Sequence, residues 1–168
     1  HKLMFTMAPM VHWPEVMFTY DTTDKILFSA DAFGTYGALS GGVIDDEMNT
    51  DIFPEEMIRY YANIVGKYGS PVQKALQKLP SIEVKMICST HGPVWRSMIP
   101  EVVATYDRLS RYEGTEGVTI IYGSMYGHTE QMAETVAEAL ARGGVKNIAM
   151  HNTSKSHSSF ILKDVFKY

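Results

Sequence analysis

Three residues in the first half of the chain could bind metal: His12, Asp31 and His91. Each closes an apolar, strand-like run, in the contexts MVHWPE, LFSADAFG and CSTHGPVW. Imidazole with carboxylate suits zinc or non-haem iron. A lone carboxylate between two histidines has two oxygens to offer, so Asp31 could bridge two metals. Three ligands are too few for two metals, so the rest must come from elsewhere. Any one of these residues has a plainer reading, as a polar group where a strand meets solvent. Their shared format argues against that reading for the set. Trp13-Pro14 stiffens the loop after His12 and can wall off water. Small residues surround Asp31, and Gly92-Pro93 makes a rigid turn after His91.

A second chemical signal is Ser124-Met125-Tyr126-Gly127-His128-Thr129, between an apolar run and a helical one. At such a junction several backbone N–H groups lack partners, and the helix dipole adds about half a positive charge. Ser124 and Thr129 add hydroxyls, and Gly127 allows close backbone approach to an anion. The GxxxxGK[ST] pattern is absent, and so is GxGxxG, which argues against nucleoside triphosphates and dinucleotides. A Ser/Thr/Gly nest suits a monophosphate such as that of FMN. The alternative is an ordinary capped strand-to-helix turn. Among the other histidines, His1 is a poor ligand candidate, and His151 and His157 lie in a Ser/Thr/Lys-rich stretch that reads as solvated. Cys88 reads as a small buried hydrophobe.

Period-2 alternation predicts strands at 3–7, 15–20 and 25–30, with Asp21–Asp24 as a hairpin turn. Residues 33–52 read as a long irregular loop. Helices are expected at 54–68, closed by Gly69, and at 71–79. A strand at 83–88 runs into His91, and a helix follows at 99–112. Glu113–Gly117 is a polar break, which predicts one domain over 1–113 and a second over 117–168. The second opens with Val118–Tyr122, a continuous apolar run typical of a strand buried on both faces of a parallel sheet. A helix at 129–142, a strand at 146–150 and a helix from 158 complete a β-α-β-α series, the start of a doubly wound sheet.

Composition narrows the function classes. With 168 residues and 45% hydrophobic content the chain can bury a sizeable core. A net charge of −4 without a Lys/Arg block argues against nucleic-acid binding. One cysteine excludes an internal disulfide and fits a reducing, cytoplasmic setting. No apolar run reaches the roughly 18–20 residues a membrane span needs. Both ends fall inside predicted elements, which suggests an internal piece of a longer protein.

The order His12, Asp31, His91 resembles the second half of a metallo-β-lactamase-type domain. The loop at 124–129 resembles the FMN-phosphate loop of flavodoxins, in the Ser-Met-Tyr-Gly-x-Thr form of flavodiiron proteins. HWPE, SADAFG, STHGPVWR and SMYGHTE together match that family in order across nearly the whole chain. The resemblance implies an α/β fold class: the C-terminal part of a metallo-β-lactamase-like αββα domain, then the first β-α-β-α of a flavodoxin-like sheet. It implies reduction of O2 to water or NO to N2O at a non-haem diiron site, with FMN delivering the electrons. His12 would bind one iron, Asp31 would bridge and His91 would bind the other, with no catalytic residue beyond these ligands. Ser124, Met125, Tyr126, Gly127, His128 and Thr129 would hold the FMN phosphate. The implied partners are a rubredoxin, F420H2 or a reductase as electron donor, and further copies in a head-to-tail homodimer or homotetramer.

Glu15 departs from the Asp more usual after Trp-Pro. An upstream His-x-Glu-x-Asp cluster is expected to supply the other iron ligands, so the 168-residue piece alone is expected to be incompetent. An upstream His-x-His-x-Asp-His would instead indicate a dizinc hydrolase fused to a flavodoxin-like module. A third possibility is a non-catalytic FMN electron carrier.

Overall fold

A computed structural model describes residues 1–168, which divide into two compact units, His1–Tyr112 and Glu113–Tyr168. In the first unit β1 (Leu3–Met7), β2 (Met17–Asp21), β3 (Ile26–Phe28) and β4 (Met86–Cys88) form one sheet in that order. β1–β2 and β2–β3 are antiparallel, and β3–β4 is parallel with Phe28 opposite Cys88. The hairpin forms because Asp21 Oδ1 accepts from the Thr23 and Asp24 amides, which closes the turn.

Strand alternation separates the two sheet faces. Phe18, Tyr20, Leu27 and Ile87 are buried on one face, which packs beneath the helices. Leu3, Phe5, Met7, Met17 and Phe28 lie exposed on the other. The helices are α1 (Phe53–Tyr60), α2 (Gly69–Leu76) and α3 (Ile99–Ser110). Trp95, Tyr61, Tyr106, Phe33 and Phe53 fill the space between them and the sheet, each 2% exposed or less.

The helix expected over 54–68 is divided. After Tyr60 the chain widens into a π turn, Tyr61–Val65, and Gly66 turns at φ 25°. The helical periodicity survives because Tyr61 and Val65 still face inward. Gly69 begins α2 and does not stop a helix. A Cβ there would lie 2.3 Å from the Ser110 carbonyl oxygen, so the glycine permits close packing against the end of α3. The irregular stretch 33–52 is also built: Asp45–Glu47 forms a helical turn. Asp45, 3% exposed, accepts from the Arg96, Ser97 and Met98 amides, with Met98 N at 2.7 Å.

In the second unit β5 (Val118–Tyr122) and β6 (Ile148–Asn152) pair in parallel, with α4 (His128–Arg142) and α5 (Ser158–Lys167). β5 is half-buried and not covered on both faces, and Ile121 is exposed. β6 is its one strand neighbour.

Candidate metal centre and anion loop

The parallel β3–β4 ladder brings two predicted ligands together. It continues past the strand ends through Ser29 N to Cys88 O at 3.1 Å and Thr90 N to Ala30 O at 2.9 Å. The next residues, Asp31 and His91, therefore emerge side by side. The Asp31 turn is fixed from below. Ser29 Oγ donates to Ala32 O, Gly34 N to Asp31 O, and the buried Trp95 Nε1 to Phe33 O. The His91 turn is fixed by Ser89 Oγ and Thr35 N, both donating to His91 O. His12 arrives from the β1–β2 connection. There Ala8 N bonds Val16 O, Met10 N bonds Trp13 O, and Val11 is buried at 1%.

The three side chains converge. His12 Nε2 lies 3.2 Å from Asp31 Oδ2, and His91 Nε2 lies 3.4 Å from Asp31 Oδ1. Each imidazole thus addresses a different oxygen of one carboxylate. His12 and Asp31 are about one-fifth exposed, whereas the His91 side chain is 55% exposed. Trp13 stacks beside His12 with ring centroids 5.2 Å apart, but it is itself exposed and does not seal the site from water.

Two neighbours escaped the motif reading. Thr90 Oγ1 donates to Asp31 Oδ1 at 2.5 Å. Tyr60, buried at the end of α1, packs its ring 5.6 Å from that of His91. Burial, then the Asp31 charge, raises the Tyr60 phenol well above its ordinary value, so the hydroxyl stays protonated. Its signal in the sequence is weak, because a tyrosine inside an expected helix carries no mark of the loop it packs against.

The second candidate site is the turn between β5 and α4. Gly127 has φ 89°, a conformation that favours glycine, and no atom lies within 4 Å of where its Cβ would be. Its N–H bonds Ser124 Oγ at 3.1 Å. α4 has no side-chain cap, so its first-turn amides are available to an anion. His128 and Thr129 are its first two residues, and Met125 and Tyr126 are 85% and 84% exposed. Opposite Tyr122, at the end of β6, Asn152 is 6% exposed and its Nδ2 has no hydrogen-bond partner.

Of the other residues read from the sequence, His157 and His1 are exposed as expected, and His151 and Cys88 differ. His151 is not solvated: its Nε2 lies 2.7 Å from Asp164 Oδ2, and both side chains are largely buried. His157 caps α5 by accepting from Ser159 N. Cys88 is half-buried, and burial raises its thiol. His1 pairs with Asp21 and Asp24 at the far end of the sheet.

A family model described as ODP family beta lactamase matches residues 1–92, and one described as flavodoxin matches residues 120–167. The chain is 33% identical over 169 residues to an anaerobic nitric oxide reductase flavorubredoxin of Vibrio vulnificus, covering 99% of this chain and 34% of that protein. The structure of a rubredoxin oxygen:oxidoreductase from Desulfovibrio gigas superposes with a TM-score of 0.91 at 29% identity, over 98% of this chain and 42% of that one. A flavodiiron protein from Giardia intestinalis gives a TM-score of 0.91 at 33% identity, over 96% of this chain and 40% of that one. The chain thus spans between a third and just over two fifths of these relatives (34%, 42% and 40%). The mixed α/β arrangement expected from the motifs agrees with these matches, and the chain belongs to the flavodiiron family, with a beta-lactamase-like unit followed by a flavodoxin-like one.

Proposed function

We propose that the chain is part of an oxidoreductase that reduces NO, O2 or both at a non-haem diiron site fed by FMN. The observation that carries this is one carboxylate, Asp31, whose two oxygens face two different imidazoles. Imidazole and carboxylate donors suit non-haem iron, and a carboxylate with one oxygen toward each imidazole is placed to be shared between two ions. In this reading His12 holds one iron, Asp31 bridges and His91 holds the other, with residues 1–113 as the metal domain. Residues 117–168 form the FMN domain, and Ser124 to Thr129 hold the phosphate through uncapped α4 amides and the Ser124 hydroxyl. Asn152 lies opposite Tyr122, just before that loop, and its buried Nδ2 has a free donor while its Oδ1 accepts from Ser154 N.

When bound, the irons and the flavin supply the redox chemistry. The chain's own residues bind, orient and shield. Asp31 and the histidines are held by a continuous backbone ladder, and the Tyr60 phenol keeps a proton beside His91. The names of the relatives favour a rubredoxin-type donor, with F420H2 or a reductase as other donors of the same reading. A head-to-tail homodimer or homotetramer and a cytoplasmic setting belong to it too. No helix is long and apolar enough to cross a membrane.

The test is anaerobic reconstitution, with Fe2+ and FMN, of the longer protein that carries this chain together with the upstream ligands, followed by metal analysis and flavin titration. Bound iron, lost in His12→Ala and His91→Ala, with FMN held more tightly than riboflavin, is the expected result. Zinc retained with iron refused would overturn the redox reading in favour of a dizinc hydrolase. NO or O2 consumption with reduced flavin then assigns the substrate.

A further inference from the structure

We infer that Thr90 is a positioning residue that makes Asp31 a bridge between two metal ions and prevents it from chelating one. The inference rests on the metal-site reading above and adds a residue to it. An aspartate carboxylate turns easily about its last torsion, for which the preference is broad and roughly two-fold. An unrestrained Asp31 could therefore offer both oxygens to a single ion. Thr90 Oγ1 donates to Oδ1 alone, at 2.5 Å, and the two imidazole nitrogens lie 3.2 Å from Oδ2 and 3.4 Å from Oδ1. Oδ1 is thereby held on the His91 side and Oδ2 is left facing His12.

The backbone explains why Thr90 can do this. Its own N–H extends the β3–β4 ladder onto Ala30 O, so the Thr90 Cα is locked to the residue preceding Asp31. A hydroxyl on a rigid strand extension is a better restraint than one on a mobile loop. The neighbouring Ser89 hydroxyl cannot substitute, because it is committed to His91 O at 2.8 Å. Partners that orient a metal-binding carboxylate typically change metal affinity by about 10–100-fold when removed.

The test is titration, with Co2+ under anaerobic conditions, of the longer protein that carries this chain together with the upstream ligands, following stoichiometry by visible absorption and magnetic coupling by electron paramagnetic resonance. The longer protein with wild-type Thr90 is expected to bind two ions whose spins are coupled through the shared carboxylate. Thr90→Val, which keeps the shape and removes the donor, is expected to bind the second ion about 10–100-fold more weakly and to lose the coupling. Thr90→Ser restores the donor and is expected to recover both, a rescue that a purely structural role would not produce. Circular dichroism checks the fold of each variant, and Thr90→Ala gives the same comparison should Thr90→Val not fold. Coupled binding of two ions by the valine and alanine variants, as tight as wild type, overturns the assignment of Thr90 alone. No metal bound by the longer protein with wild-type Thr90 overturns the metal-site reading and this inference with it.

Discussion

Gly92 and Thr35 touch so closely that no side chain fits between them: a Cβ on Gly92 would stand 2.2 Å from Thr35 Oγ1. Gly92 also has φ 80°, where an L side chain costs about 1–2 kcal/mol. The contact is part of what aims His91, since Thr35 N bonds the His91 carbonyl. Gly92→Ala is therefore expected to lower stability by about 2 kcal/mol and to weaken metal binding. Urea denaturation and a Co2+ titration on the same variant check both. Wild-type metal affinity in a destabilised Gly92→Ala would show that the turn serves folding alone.

Asp45 clamps the segment that leads into α3. It is buried, and its carboxylate gathers the amides of Arg96, Ser97 and Met98. Arg96 in turn pairs with Asp46 and Glu47 on the same helical turn. The Arg96 hydrogen bond holds the Asp46 carboxyl below its usual range. Asp45→Ala leaves three amides without their acceptor, and each bond to a charged group contributes about 1.5–3 kcal/mol. The expected loss is about 3 kcal/mol or more, with Asp45→Asn retaining part of it. Asp46→Ala, at an exposed pair screened by solvent, is expected to cost far less than Asp45→Ala. Chemical denaturation of the three variants orders them, and equal losses at 45 and 46 would refute the buried-clamp account.

The pattern of what could be read from the sequence follows from these contacts. His12, Asp31 and His91 stand out because a polar residue that ends an apolar strand is visible in one dimension. Thr90 and Asp45 do not, because their roles depend on register: which residue faces which across β3–β4, and which loop lies over the start of α3. The Gly-, Ser- and Asp-rich stretch around Asp45 has no periodicity to mark a buried carboxylate. The helix over 54–68 was over-read because an apolar face persists through a π turn. His151 was taken as solvated from its polar neighbours, whereas its partner, Asp164, belongs to the next helix.

The buried tyrosines make stability sensitive to alkali. Burial, the leading cause in each case, raises the phenols of Tyr60, Tyr61 and Tyr106 above the ordinary value of about 10. A raised folded-state value means the neutral form is favoured by folding. Their contribution is complete below the unfolded value, about pH 10, and is lost as the pH rises beyond it. Stability is expected to be flat with respect to these groups near neutrality and to fall above about pH 10. Tyrosinate absorbance and near-ultraviolet circular dichroism should change together in that range. Tyr60→Phe removes one of the groups and is expected to shift the alkaline transition to higher pH. Tyrosinate forming well before the fold is lost would contradict the burial argument.

In the second unit the strongest tie between sheet and helix is His151 to Asp164. The pair spans from β6 to α5 at 2.7 Å, with side chains 12% and 10% exposed. Thr119 Oγ1 adds a bond from β5 to the Asp164 carbonyl, and Lys163 Nζ lies 3.1 Å from the other carboxylate oxygen. Removing Asp164 leaves a buried imidazole nitrogen without its hydrogen-bond partner, at a cost of about 1–3 kcal/mol. Asp164→Ala is therefore expected to loosen α5 selectively. Amide hydrogen exchange should rise across Ser158–Lys167 while α4, which does not use this pair, keeps its protection. The double variant Asp164→Ala with His151→Leu, which removes both polar groups, should recover part of the loss. Uniform exchange across α4 and α5 in the single variant would mean that the unit unfolds as a whole and that the pair is not a local tie.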